Sequence, residues 1–169
     1  PHTHDRINFV ENQIDLYPDL SPRLDAQKRD RHDRIIAKLI GFLSEPKETF
    51  KKYPRSNTAI TAKYARAIAF YREGNLAKAI IALDHLITLE KENPYFWELK
   101  GQILLEKNEK ELARSAYKKA YSFSKDVTIL QQLAKVELSL NTQKSNNDAL
   151  AYLEKAIRMT PGSSTTRKQ

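Results

Sequence analysis

The chain has 169 residues, 40% of them hydrophobic and 30% charged, with a net charge of +8 and no cysteine. These values exclude disulfide scaffolds and thiolate metal sites, and the low counts of four glycines and seven prolines exclude low-complexity sequence. No run approaches the ~20 apolar residues of a membrane-spanning helix, and the first residues carry no signal-peptide pattern.

Apolar residues recur at three- and four-residue spacing, which predicts helices throughout. Thr3 can cap a short helix with Ile7, Val10 and Ile14 on one face, stopped by Tyr17-Pro18. Ser21-Pro22 opens a long helix, with Ser as cap and Pro at the first helical position. Its first half, residues 25–34, is polar all round and meets either solvent or a body outside this chain. Its second half carries a stripe of Ile35, Ile36, Leu39, Ile40 and Leu43. Pro46 ends it or starts the next helix, residues 47–53 form one short helix, and Pro54 closes that.

Asn57 or Thr58 can cap the next helix, which runs to about Arg72, and Gly74-Asn75 turns the chain into a helix at about 76–89. Further pairs are expected at 94–106 with 109–123, and at 128–140 with 148–159, the last two separated by a polar loop at 141–147. Within residues 62–125 the pattern repeats at a step of 34: Ala67 by Gly101, Gly74 by Asn108, Ala79 by Ala113, Leu83 by Tyr117. Ala113 and Ala120 recur 36 later as Ala149 and Ala156. A step of this length marks helix pairs that bury their apolar faces by stacking.

The repeat resembles the tetratricopeptide repeat (TPR), whose pattern is matched by Trp97, Gly101, Leu104, Ala113, Tyr117 and Ala120. Gly101 and Ala113 let the two helices of one repeat approach, Trp97, Leu104 and Tyr117 fill the crossing, and Ala120 leaves room for the next repeat. Lys100, Lys91 and Lys125 depart from the pattern. The expected fold is all-α: a TPR-type right-handed superhelical solenoid of antiparallel helix pairs, preceded by accessory helices. Residues 1–54 are the accessory part, 55–161 hold three units (about 57–91, 93–125 and 127–161), and 162–169 read as the truncated, frayed start of a fourth. Trp97 is expected in the core rather than as a ligand platform.

In such an array the first helix of each unit lines the inner face. The repeat phase places Thr61, Tyr64, Ile68, Tyr71 and Arg72 there, then Tyr95, Glu98, Gln102 and Leu105, then Gln131, Lys135 and Leu138. Tyrosines interleaved with amides and charges suit an extended peptide; the alternative for Tyr64 and Tyr71 is packing against the preceding helices. The Lys and Asn set that grips a C-terminal carboxylate in some TPR domains is absent, since Tyr64 and Ile68 occupy the first unit's places.

Four stretches carry a second resemblance: residues 21–26 (SPRLDA), 31–42 (RHDRIIAKLIGF), 64–71 (YARAIAFY) and 93–102 (NPYFWELKGQ). They look like the C-terminal half of bacterial HExxH zinc metallopeptidases of the BepA-like kind. In that family a protease domain comes first, then linker helices, then a TPR array, and the proteins are typically periplasmic and serve outer-membrane protein assembly and quality control. The resemblance implies a module that recruits substrate or assembly partners, contacts its own protease domain, and is separated from a zinc site outside this chain. The start at Pro1 rather than Met fits a fragment. No His-Glu-x-x-His occurs, so the chain is expected to be neither an enzyme nor a zinc binder. His2 and His4 at the terminus, and His32 and His85 on polar faces, read as solvated.

A stand-alone TPR scaffold or chaperone adaptor is the alternative; the missing thiols fit the cytosol and an exported protein equally, so a cytoplasmic location stays open beside the periplasmic one. Attraction of the +8 charge to RNA or membrane is a third reading. It competes with a solubilising surface, since Asp25, Asp30 and Asp33 interrupt the cations between Arg23 and Arg34. Self-association through exposed repeat ends is a further expectation.

Overall fold

The computed structural model describes residues 26–160. Thr3, the opening at Ser21-Pro22, His2, His4 and residues 161–169 lie outside them. Among the described residues eight helices follow one another: α1 Ala26–Leu43, α2 Pro46–Lys52, α3 Ile60–Arg72, α4 Leu76–Leu89, α5 Pro94–Glu106, α6 Lys110–Ser124, α7 Val127–Leu140 and α8 Gln143–Met159. No strand occurs among the described residues. The all-helical, TPR-type architecture expected from the repeat is what these helix pairs form. The chain divides into two compact units, Pro1–Ala82 and Leu83–Gln169, so the boundary falls within α4.

The helix ends follow from local chemistry. Gly74 (φ 79°) and Asn108 (φ 61°) turn the chain in the left-handed region at equivalent repeat positions. Asn93 accepts from the Tyr95 amide at 3.1 Å, with Pro94 at the first helical position of α5. Asp126 accepts from the Thr128 amide at 2.8 Å and starts α7. The cap of α3 differs from expectation. Asn57 accepts from the Ala59 amide at 3.1 Å in a turn ahead of the helix, and Ala59 occupies the cap without a side-chain bond.

The loop expected at 141–147 is mostly helix. Thr142 and Ser145 form a capping box, with Ser145 amide to Thr142 Oγ1 at 3.1 Å and Thr142 amide to Ser145 Oγ at 3.0 Å. Once that start is fixed, the polar run Lys144, Asn146 and Asn147 forms the exposed side of the first turns of α8.

In unit 1, α1 packs on α3, and the buried side of α1 is Ala37, Ile40 and Gly41, with Ser44 buried just past its end. The expected stripe is rotated: Ile40 is buried, whereas Ile35, Leu39 and Leu43 remain well exposed. Gly41 sets the approach, since a Cβ there would stand 2.9 Å from Ile68 Cβ. Thr49 of α2, fully buried, donates to the Ile40 carbonyl at 3.3 Å, and Phe50 meets Phe70 of α3 with ring centroids 4.9 Å apart. Arg66 holds the segment between α2 and α3. Its Nη1 donates to the carbonyls of Tyr53 (3.2 Å), Pro54 (2.8 Å) and Asn57 (3.0 Å). Burial, and then Arg55, lower the pKa of Arg66.

In unit 2, Phe96, Leu99, Ile103 and Leu104 of α5 are buried together with Ala113, Ala116, Tyr117 and Ala120 of α6. The predicted crossing is present: a Cβ on Gly101 would lie 2.9 Å from the Tyr117 ring. Trp97 is a correction. It is half-buried, its indole N–H donates to the Lys91 carbonyl at 2.7 Å, and Lys100 Nζ lies 5.7 Å from its ring centroid. The neighbouring Phe96 is the aromatic that fills the core.

Glu137 of α7 is fully buried. Its Oε2 lies 3.4 Å from Arg114 Nη1, and its Oε1 has no hydrogen-bond partner. Arg114 also pairs with Glu111. Burial, and then the Glu137 carboxylate, push the Tyr152 phenol of α8 above its ordinary range. A carboxylate is thus enclosed between α6, α7 and α8 with one cation as its counter-charge.

Candidate peptide groove

Unit 2 holds an open groove of about 350 Å³ between the first helices of two successive repeats. One wall is α5, contributing Glu98, Gln102, Leu105 and Glu106. The other wall is α7, contributing Gln132 and Lys135, and the α6 ring of Tyr117 reaches the floor. Glu98, Gln102 and Glu106 recur every four residues and so form one row along α5. Gln132 and Lys135 share a face of α7 by the same rule. Tyr117 is otherwise buried, so the floor is fixed by the close Gly101–Tyr117 contact. At the end of α7, Lys110 of α6 donates to the Ser139 carbonyl at 2.5 Å and ties the second wall to the floor helix.

The groove brings together Glu98, Gln102, Leu105 and Lys135 of the residues that the repeat phase singled out. Three lining residues were not singled out, and two have a sequence signal. Glu106 stands 34 after Arg72, and Gln132 stands 34 after Glu98. Gln131, selected instead, is exposed and does not line the groove, a shift of one residue around α7. Tyr95 is half exposed at the start of α5, and Leu138 is exposed further along α7; neither lines it.

The candidates of unit 1 fare differently. Tyr64 and Ile68 are buried, Ile68 completely, and Ile68 faces Gly41 of α1. Ile68 thus packs α3 on α1, and neither residue presents an open binding face. Arg72 is exposed, and its guanidinium donates to the Ser44 carbonyl just past the end of α1. It closes a helix end. Tyr71 and Thr61 are partly buried.

The groove's chemistry is that of recognition. Two glutamine amides, two carboxylates and one ammonium line it, together with the Leu105 side chain and the Tyr117 ring. Among the described residues no group of three His, Cys, Asp or Glu is placed to hold a metal ion, and no helix is long and apolar enough to cross a membrane. His85 and His32 are exposed.

A stretch of 100 residues, 59% of the chain, is 27% identical to Anaphase-promoting complex subunit 7 of Dictyostelium discoideum. The match covers 17% of that protein, so the chain spans less than a fifth of this relative's length. The tetratricopeptide repeat family model matches residues 64–126, from within α3 to the cap of α7, a span that includes the α5 wall and the α6 floor of the groove.

Proposed function

We propose that this chain is a protein-binding module that takes an extended segment of a partner in the α5–α7 groove. The observation that carries the reading is the groove itself, an open channel with a polar row on each wall where the repeat presents its inner helices. Tetratricopeptide repeats characteristically serve protein–protein interaction. Leu105→Asp, which places an unpaired charge in the groove, should abolish partner binding while leaving the melting temperature within a few degrees of the parent. Undiminished binding by that variant would overturn the assignment.

The larger protein we infer is a periplasmic zinc metallopeptidase of the BepA-like kind, with this chain as its repeat region, recruiting substrate or outer-membrane assembly partners. The four stretches that resemble that family support this, as do helices α1 and α2 lying ahead of the repeats. Zinc would then belong to the protease domain. The reading that competes is a free-standing scaffold, favoured by the similarity to a protein described as a subunit of a complex. Sequencing the reading frame ahead of Pro1 separates them. A His-Glu-x-x-His segment there supports the protease, and a start codon directly ahead of Pro1 contradicts it.

A further inference from the structure

Met159 carries the only sulfur of the chain, which has one methionine and no cysteine. It closes α8 as an exposed residue, and its thioether accepts from the Tyr121 hydroxyl of α6 at 3.7 Å. Ala156 is the last buried residue of α8, and residues 157–160 are exposed. The Tyr121 hydroxyl thus reaches a thinly packed helix end across 38 residues of sequence. Two ammonium groups converge on the same ring, with Lys155 Nζ 4.9 Å and Lys125 Nζ 5.2 Å from its centroid. Among the described residues no carboxylate pairs with either ammonium. A thioether is a weak acceptor, so one donor and two cations meet little negative charge here.

We propose that Met159 is a reversible oxidation site whose sulfoxide fastens the end of α8 to α6. A lone pair of the sulfur attacks one oxygen of hydrogen peroxide, and the O–O bond breaks. The leaving hydroxide takes the proton of the transferred hydroxyl and becomes water, so the sulfur is oxidised and the peroxide reduced. The product is a polar sulfoxide in place of an apolar thioether. In a core that change is disruptive, but Met159 is 40% exposed and loses little packing. Its flexible side chain can turn the new oxygen toward Tyr121. The contact then contracts from 3.7 Å to about 2.7 Å, the ordinary length for a hydroxyl donor on oxygen. The negative end of the S–O dipole comes to rest beside the ring that holds both ammonium groups. Neither Met159 nor Tyr121 lines the groove, so the site stands whether or not the groove binds peptide.

The test treats the full chain with dilute hydrogen peroxide and follows amide exchange by mass spectrometry. Uptake of one oxygen, on Met159, is expected. Exchange in the last turn of α8 should slow ~5-fold, the factor that one net hydrogen bond supplies. Methionine sulfoxide reductase should restore the original rate. Tyr121→Phe keeps the ring and lacks the hydroxyl, so it should take up the oxygen without any slowing. Met159→Leu should ignore peroxide altogether. Circular dichroism confirms that both variants fold. Unchanged or faster exchange in the oxidised parent would overturn the proposal. So would equal slowing in Tyr121→Phe or in Met159→Leu, a sulfur that resists peroxide, or a change that the reductase does not reverse.

Discussion

Tyr64, Ile68, Tyr71 and Arg72 of α3 stand 34 residues before Glu98, Gln102, Leu105 and Glu106 of α5, so the same four repeat positions can be compared in two units. In unit 1 these positions carry two rings, an aliphatic and an arginine, and two of them meet the chain's own α1 or the residue just past its end. Ile68 meets Gly41, and Arg72 binds the carbonyl of Ser44. In unit 2 they carry two carboxylates, an amide and a leucine, and they border an open groove. The difference teaches that repeat phase identifies which side chains turn to the inner face, while residue type decides whether that face is sealed or left for a partner. A buried aliphatic gains from removal of water, whereas an amide and carboxylates are costly to enclose without partners.

The largest break in this comparison comes from truncating its two central residues. Ile68→Ala should cost about 2–5 kcal/mol, because it leaves a cavity between α1 and α3. Gln102→Ala, at the equivalent place, should cost less than about 1 kcal/mol by the same denaturant titration. Next is the support of the open side. Arg114→Ala leaves Glu137 enclosed without its cation and should cost about 3 kcal/mol, whereas Glu137→Leu should leave stability unchanged or raise it. Calorimetric melting of both variants checks this pair.

Much of this arrangement could be read from the residues. Gly74, Asn93-Pro94 and Asn108 punctuate the chain so strongly that the bounds of α4 and α5 were legible, and Gly101 with Tyr117 announced the crossing that floors the groove. Thr142 with Ser145 is a capping box written with Ser in place of Glu or Gln, so the start of α8 looked like a loop. Trp97 was assigned to the core by its repeat position. Yet its indole N–H finds the Lys91 carbonyl at the edge, a contact set by the turn between α4 and α5. The closure of the α3 face was the least legible feature. It depends on which side of α1 turns inward, and the small residues Ala37 and Gly41 decided that over the larger Ile35 and Leu39.

Two smaller effects sharpen the comparison. Gly41→Val should force α1 away from Ile68 at a cost of about 1–3 kcal/mol, and should raise proteolytic cleavage within α1 before unit 2 is cut. Thr142→Ala should cost about 1 kcal/mol and increase amide exchange in the first turn of α8, with the groove's peptide affinity unchanged.

The contrast between a sealed and an open inner face is tested most directly by thiol labelling. The chain has no cysteine, so Ile68→Cys and Gln102→Cys each introduce a single thiol at equivalent repeat positions. In the native protein a maleimide should modify the thiol at 102 rapidly and the thiol at 68 only at the rate of local opening, at least ~100-fold more slowly. Equal labelling rates at the two positions would contradict the account.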